Sequence, residues 1–315
     1  MAGVPILDRR LLFVTGKGGV GKTTVAASLA VLGARQGKRV LVCEVDAKGN
    51  LADVLECGPT SFDEREVQTG LFAMSMDTEA SLREYLRLQV RIPLLARIGP
   101  LARTFDFLAN AAPGIKEIVT VGKFAWEVKE RHYDLVVVDA PATGHIVGQL
   151  NAPQAINELV QVGLIREQTG WILEILREPA TTGVVIVAAP EEMPVTESLE
   201  LIERLEETEV DVAGIIVNRV LPELFGRAEE EVFERLREAE GSGELDGSLG
   251  EGIGPVLQAA RLAVTLRRTR AGHLTRLREG VPTGMNVVYV PELFNRTHGL
   301  RAIHQVADAL DGELS

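Results

Sequence analysis

Near its N-terminus the chain reads Gly16-Lys17-Gly18-Gly19-Val20-Gly21-Lys22-Thr23, the spacing G-x-x-x-x-G-K-[ST] of a loop that cradles phosphates. Each residue type has a chemical reason to be there. Glycines lack the Cβ that would stop successive backbone N–H groups from turning inward around phosphate oxygens. Lys22 offers a mobile ammonium to the β- and γ-phosphates, and Thr23 a hydroxyl to Mg²⁺. Thr24 opens the helix that follows, whose positive end faces the same anion. The candidate nucleotide-binding set is therefore Gly16, Lys17, Gly18, Gly19, Val20, Gly21, Lys22, Thr23 and Thr24, and the expected ligand is a nucleoside triphosphate with Mg²⁺.

Such a loop works only between a strand and a helix, and the flanking sequence supplies both. Leu11 to Val14 is a short apolar run that reads as a buried strand, and Thr24 to Gln36 is amphipathic with helical spacing. The alternation continues along the chain. Buried strands are expected at Arg39–Asp46, Leu71–Met76, Tyr133–Asp139, Gly183–Ala189, Ala213–Asn218 and Asn286–Val290. Helical stretches are expected at about 81–125 and 153–177, the first opened by a Ser81-Leu-Arg-Glu84 capping box and divided by Pro93 and Pro100. Further helices follow: the stripe Val195, Leu199, Ile202, Leu205, an acidic helix Glu229–Glu240, a basic helix Arg261–Arg278 and a closing helix. The run Gly241–Gly254 reads as a loop. Strands separated by helices predict an α/β fold: a doubly wound, mostly parallel sheet with helices on both faces, as one domain over residues 1–315 with helical insertions. In such sheets ligands sit beyond the carboxyl ends of strands, where Asp46, Asp139 and Asn218 all fall.

Composition narrows the classes. The chain has 315 residues, 46% of them hydrophobic, which is enough for a large core in a soluble globular protein. A net charge of −12 argues against nucleic acid or an anionic membrane as the main partner. Two cysteines, Cys43 and Cys57, exclude a disulfide framework and fit a reducing cytoplasm. The first strand begins by Leu11, so no signal peptide is expected. No apolar run approaches the roughly 18 residues that a membrane span requires.

Lys17 makes the loop K-G-G-V-G-K-T-T, a deviant form with an extra lysine. It resembles the superfamily of partition, septum-positioning, nitrogenase iron-protein and arsenite-pump ATPases. Asp139-Ala-Pro-Ala-Thr-Gly-His145 is similar to the D-T-A-P-T-G-H segment of the arsenite-pump and tail-anchored-protein targeting ATPases, with its proline one position early. Asp46-Ala-Lys-Gly-Asn-Leu-Ala-Asp53 resembles their D-P-A-x-N-L-x-D switch segment, with Ala47 where they carry proline. Ile215-Ile-Val-Asn218 resembles their adenine-contacting strand end. Glu191, and Pro291 with Gly299-Leu300, are weaker matches.

This resemblance to the arsenite-pump (ArsA-like) family spans nearly the whole chain and implies an ATP-hydrolysing, nucleotide-sandwich dimer. It gives Asp46 the orienting of the attacking water and Asp139 a place, with Thr23 and Asp46, around Mg²⁺. Lys22 would act on the phosphates in cis. Lys17 would reach across the dimer as a cation supplied in trans, comparable to an arginine finger. Asn218, Glu191 and Pro291 would line the nucleotide, and His145 would either sense it through the switch or serve as a simple hydrogen bond or cap.

Two features depart from relatives. Cys43 lies within a strand and Cys57 stands fourteen residues on, so neither a zinc clasp nor an iron–sulfur cluster is expected. A single half, where the arsenite pump is often two fused halves, implies pairing with a second copy or a related subunit. The helical insertions offer a place for a protein client, although only five methionines occur in the chain and adaptable grooves favour that residue. The alternatives are a positioning ATPase of the partition type, suggested by the basic run Arg261–Arg278, or the ATPase subunit of an anion efflux system. Neither nucleic-acid binding nor stable membrane insertion is expected, and the acidic C-terminal run Asp308-Ala-Leu-Asp-Gly-Glu-Leu-Ser315 lacks a basic amphipathic anchor.

Overall fold

The computed structural model describes residues 4–46, 48–89, 114–159, 162–221, 231–232, 234–235, 253–293 and 299–314. Eight strands lie in one sheet: β1 (Leu11–Gly16), β2 (Val40–Glu44), β3 (Arg65–Gln68), β4 (Leu71–Ser75), β5 (Leu135–Asp139), β6 (Thr182–Ala188), β7 (Val212–Val220) and β8 (Val287–Pro291). Their order is β3-β4-β2-β5-β1-β6-β7-β8, and every neighbouring pair is parallel except β3 with β4. Every residue of β1, β2, β5 and β6 is buried. Strands covered on both faces need no polar alternation, which is why they read as unbroken apolar runs.

Alternate side chains of β1 serve two separate cores. Leu12 and Val14 face a core completed by α1 (Lys22–Arg35), α2 (Asn50–Leu55) and α9 (Leu300–Leu314). Leu11 and Phe13 face the opposite one, closed by α4 (Ile115–Lys129), α5 (Thr143–Leu159), α6 (Leu164–Arg177), α7 (Glu192–Glu206) and the end of α8 (Ile253–Gly280). The chain leaves β1 and passes beyond β5 before returning to it, so the strand order reverses at β1. That reversal opens a crevice at the carboxyl ends of β1, β2 and β5.

Several boundaries differ from the sequence expectation for physical reasons. β3 was not anticipated: it is a four-residue edge strand, Arg65-Glu-Val-Gln68, in which Arg65 and Glu66 are exposed and only Val67 packs against the core, too little for an apolar pattern. The capping box at Ser81 does not form. The helix α3 (Thr78–Gln89) starts a turn earlier, where the Asp77 carboxylate accepts the Ala80 N–H at 2.7 Å, and Ser81 is buried with its hydroxyl donating to the Val119 carbonyl. Pro153 opens no helix but sits inside α5, which begins at Thr143. The short helices expected around Pro93 and Pro100, and the loop expected at 241–254, fall outside the described residues apart from 253–254, where α8 begins. Of the expected acidic helix, only residues 231–232 and 234–235 are described, and they are helical.

A buried cation ties α3 to α4. The Lys123 ammonium is 3% exposed and lies 2.7 Å from Glu127, 2.9 Å from Glu84 and 3.3 Å from Glu64. Burial alone would lower its pKa, but Glu127 and Glu84 reverse this and hold the charge on. Removing the cation leaves Glu127, 4% exposed, with only the imidazole of His132 at 2.7 Å in place of the ammonium. Lys123→Met is therefore expected to lower stability by about 3 kcal/mol, read as a shifted urea midpoint at constant slope. An unchanged midpoint would show that the cluster contributes nothing.

Candidate functional site

The phosphate-cradling loop lies at the crevice, between β1 and α1. Two of its glycines are forced by the surroundings as well as by conformation. A Cβ on Gly16 (φ 152°) would overlap the Val187 carbonyl of β6, and one on Gly21 (φ 94°) would overlap the Asn218 amide. Gly21 caps α1 without a side-chain bond, leaving the first amides of the helix to an incoming anion. Val20 is buried at the floor, and its carbonyl accepts the Asn218 Nδ2–H at 2.8 Å. Asn218 Oδ1 in turn accepts the Arg219 N–H at 2.9 Å. The side chain expected at adenine thus braces the loop from β7.

Thr23 and Asp139 meet directly, the hydroxyl donating to the Asp139 carboxylate at 2.6 Å. Asp139 ends β5 and is only 7% exposed. Burial pushes its pKa up to about 6, the Thr23 bond and Lys22 opposing that and the carboxylates of Glu44 and Asp46 adding to it. Lys22 is partly buried, with its ammonium 3.4 Å from the Lys17 carbonyl. Burial lowers its pKa, against the attraction of Asp139 and Asp46. A cation and an anion are therefore both held at an electrostatic cost in one cleft, the mark of groups arranged for an external charge. The donor set, a hydroxyl beside a carboxylate, fits a hard divalent cation such as Mg²⁺.

The extra lysine is engaged within its own chain. Lys17 Nζ pairs with Glu197 Oε1 of α7, and Glu197 Oε2 accepts the Thr143 hydroxyl at 2.9 Å. Lys17 and then Thr143 hold the Glu197 carboxyl below the usual carboxylate range. Thr143 is the first residue of α5, so two successive contacts link the loop to the helical layer. A second link runs from Thr15, whose hydroxyl donates to the Pro141 carbonyl at 2.7 Å.

Asp46 lies past the end of β2 with its side chain 49% exposed, 3.2 Å from the Lys48 ammonium. Lys22 and Asp139 feel its charge, so it belongs to the same cleft. The structure brings together Gly16 to Thr24, Asp46, Asp139 and Asn218. Glu191 stands at the N-cap of α7 and Pro291 ends β8, three strands away from β1; both are exposed. His145 is exposed in the first turn of α5. Cys43 is buried in β2, where desolvation raises its thiol pKa, and Cys57 is partly buried with a shift in the same direction. Two acids were missed by sequence reasoning. Glu197 is 180 residues from Lys17 and no local pattern points to it. Glu44, buried at the end of β2, accepts the Gly49 and Asn50 amides; a charged residue closing an apolar strand was the signal available.

The family described as anion-transporting ATPase matches residues 9–170 and 163–241 of this chain. The ATPase BagA of Mycobacterium tuberculosis is 32% identical over 300 residues, covering 90% of this chain and 86% of its own. The ATPase GET3 of Podospora anserina is 28% identical over 256 residues, or 69% of this chain and 75% of its own. A putative arsenical pump-driving ATPase of Halobacterium salinarum is 28% identical over 247 residues, 71% of this chain but 37% of the longer relative.

The raised Asp139 pKa has a measurable consequence in the ligand-free protein. An acid that ionises near 3.9 when unfolded and at about 6 when folded destabilises the native state above that window, so stability falls as pH rises from about 4 to 6. Asp139→Asn keeps the acceptor for Thr23 and removes the charge. Its Tm is expected to exceed that of the parent at pH 8, by a gain on the order of 2 kcal/mol, and the gap should close toward pH 4. Equal Tm values at pH 8 would refute the electrostatic cost.

Proposed function

The chain belongs to the anion-transporting ATPase family and hydrolyses ATP, and from that premise we propose that it is a dimeric switch whose ATP-driven closure governs binding of a protein client or partner. The observation that carries this reading is the pair of links out of the loop, Thr23–Asp139 to the end of β5 and Lys17–Glu197–Thr143 to the start of α5. Whatever fills the loop competes for Lys17 and loads Asp139, and both effects reach the helices beyond.

In this reading the loop amides and Lys22 bind the triphosphate. Thr23 and Asp139, joined by Asp46 through water, would hold Mg²⁺, which when bound neutralises charge on the phosphate oxygens. Asp46 orients water for attack on the γ-phosphorus. Lys17 leaves Glu197 and inserts beside the nucleotide of a second subunit, a copy of this chain or a related one. Asn218 reaches adenine while bracing the loop, with Glu191 and Pro291 farther out. The helical insertions at about 81–125 and 153–177 form the client face, supported by the exposure of Leu159 (79%) and Val162 (83%) at their edge.

A positioning ATPase of the partition type is less well supported. The basic helix α8 is laced with partners: Arg268 meets Glu234 at 3.3 Å, Arg270 meets Glu292 at 3.6 Å, and Arg278 donates to the Tyr289 hydroxyl at 2.6 Å. Among the described residues no helix is long and apolar enough to cross a membrane.

Asp46→Asn is expected to bind ATP normally and to hydrolyse it at least ~10²-fold more slowly, as loss of a water-positioning group requires. Normal turnover would remove Asp46 from the mechanism. Lys17→Ala should spare binding to the monomer yet weaken the ATP-bound dimer about tenfold or more, the value of one charge-assisted contact. Light scattering that shows an unchanged ATP-dependent dimer would overturn the role in trans.

A further inference from the structure

Asp46 carries the proposed water-orienting role, yet little in its own surroundings holds it. Among the described residues its one hydrogen-bond or ion-pair partner is Lys48, at 3.2 Å and itself 68% exposed. An ion pair so open to solvent contributes at most about 1 kcal/mol and cannot fix a carboxylate to catalytic tolerance. The residues around it, Val45-Asp46-Ala47-Lys48-Gly49, include no proline to stiffen the backbone. The placing of Asp46 must then come from the two ends of this segment.

One end is the sheet. The Val45 N–H donates to the Asp139 carbonyl at 3.2 Å, and the Glu44 carbonyl accepts the Met76 N–H at 2.8 Å. The other end is the start of α2. Gly49 is its N-cap, in the left-handed region at φ 81°, and has no side chain with which to cap the helix. The missing cap comes from five residues upstream. Glu44 is 2% exposed, and its carboxylate spans the segment: Oε2 accepts the Gly49 N–H at 3.0 Å and Oε1 the Asn50 N–H at 3.1 Å.

We propose that Glu44 is a positioning residue for ATP hydrolysis, a buried clamp that joins the sheet to the start of α2 and thereby sets the loop that presents Asp46. The chemistry favours a carboxylate specifically. It has two acceptor oxygens and no donor, so it satisfies two amides at once, whereas a carboxamide offers one oxygen and must turn its NH₂ against the other N–H. Both bonds go to the far end of the Asp46 loop and neither to Gly16–Thr24, so the effect falls on presentation of the attacking water more than on nucleotide binding. This inference rests on the reading of Asp46 as the water-orienting group.

The test is Glu44→Gln, measured at pH 8 with saturating Mg²⁺ so that Asp139 is ionised in every variant. The expected result is a kcat lowered at least ~10-fold, since a shift of about 1 Å in a positioned group can cost up to ~10². Affinity for a non-cleavable ATP analogue should stay within about threefold, because loss of an interaction made only in the transition state leaves binding alone. The Gly49 and Asn50 amides should exchange with solvent faster. Glu44→Asp keeps both acceptors but withdraws them by one methylene; it should show the same split at smaller size, and it is the variant to read if Glu44→Gln does not fold. A kcat within twofold of the parent despite faster exchange (about 0.4 kcal/mol) would overturn the proposal, as would analogue affinity falling in step with kcat. Asp46→Asn measured alongside separates the failures: normal turnover there sinks the water-orienting role itself, while slow turnover with an unaffected Glu44→Gln sinks only the clamp.

Discussion

The organisation of this molecule depends on the burial of one carboxylate, Asp139, at the carboxyl end of β5 and within reach of the Thr23 hydroxyl. That single bond joins two segments 116 residues apart and brings the strand beside β1 to the first turn of α1. It is possible because the sheet is parallel: strands of one direction, buried on both faces, deliver their carboxyl ends to one side. The backbone reinforces the arrangement, since Val14 and Asp139 are register partners and the Ala140 N–H donates to the Val14 carbonyl at 2.9 Å.

The charge distribution follows from the same geometry. Desolvation works against both members of the cleft, raising the pKa of Asp139 and lowering that of Lys22. Their mutual attraction does not cancel either shift, so the free protein stores electrostatic strain where a phosphate and a divalent cation would relieve it. The Glu44 carboxylate, register partner of Asp139, adds to this strain while holding the adjoining loop. A site that is uncomfortable without ligand binds it with free energy that the rest of the fold can use.

How much of this was legible in the sequence varies with the range of the interaction. The loop Gly16–Thr23 stood out because its pattern is contiguous, with glycines where the backbone takes a positive φ (Gly16, Gly19, Gly21) and a hydroxyl in the first turn of a helix. β1, β5 and β6 were visible as apolar runs for the reason that made them central. β3 was not, since an edge strand with exposed Arg65 and Glu66 has no apolar face to betray it. Ser81 misled because its spacing to Glu84 is right, but Asp77 offers a stronger cap one turn earlier. Glu197 and the Asn218–Val20 bond were out of reach, because contacts 180 and 198 residues apart are set by how strands and helices come to lie side by side. Glu44 fell between these cases: its partners are five and six residues away, yet nothing in a buried strand-end acid says that its oxygens turn forward to a helix start.

Two contacts beside the cleft differ sharply in strength, which suits the proposed switch. Lys17 and Glu197 are respectively 30% and 25% exposed. A pair of that exposure, screened by solvent, is worth on the order of 1 kcal/mol, so a triphosphate that binds the lysine better in a second arrangement can displace it. Glu44, by contrast, is buried and doubly bonded, and breaking its bonds would strand a carboxylate in the interior at a cost of several kcal/mol. In the proposed switch the weak contact lies at the part that would move between subunits, and the strong one at the part that would keep its shape during hydrolysis. With the strengths reversed, a firmly held Lys17 would resist the proposed closure, and a loosely anchored Asp46 loop would slow hydrolysis even in a closed state.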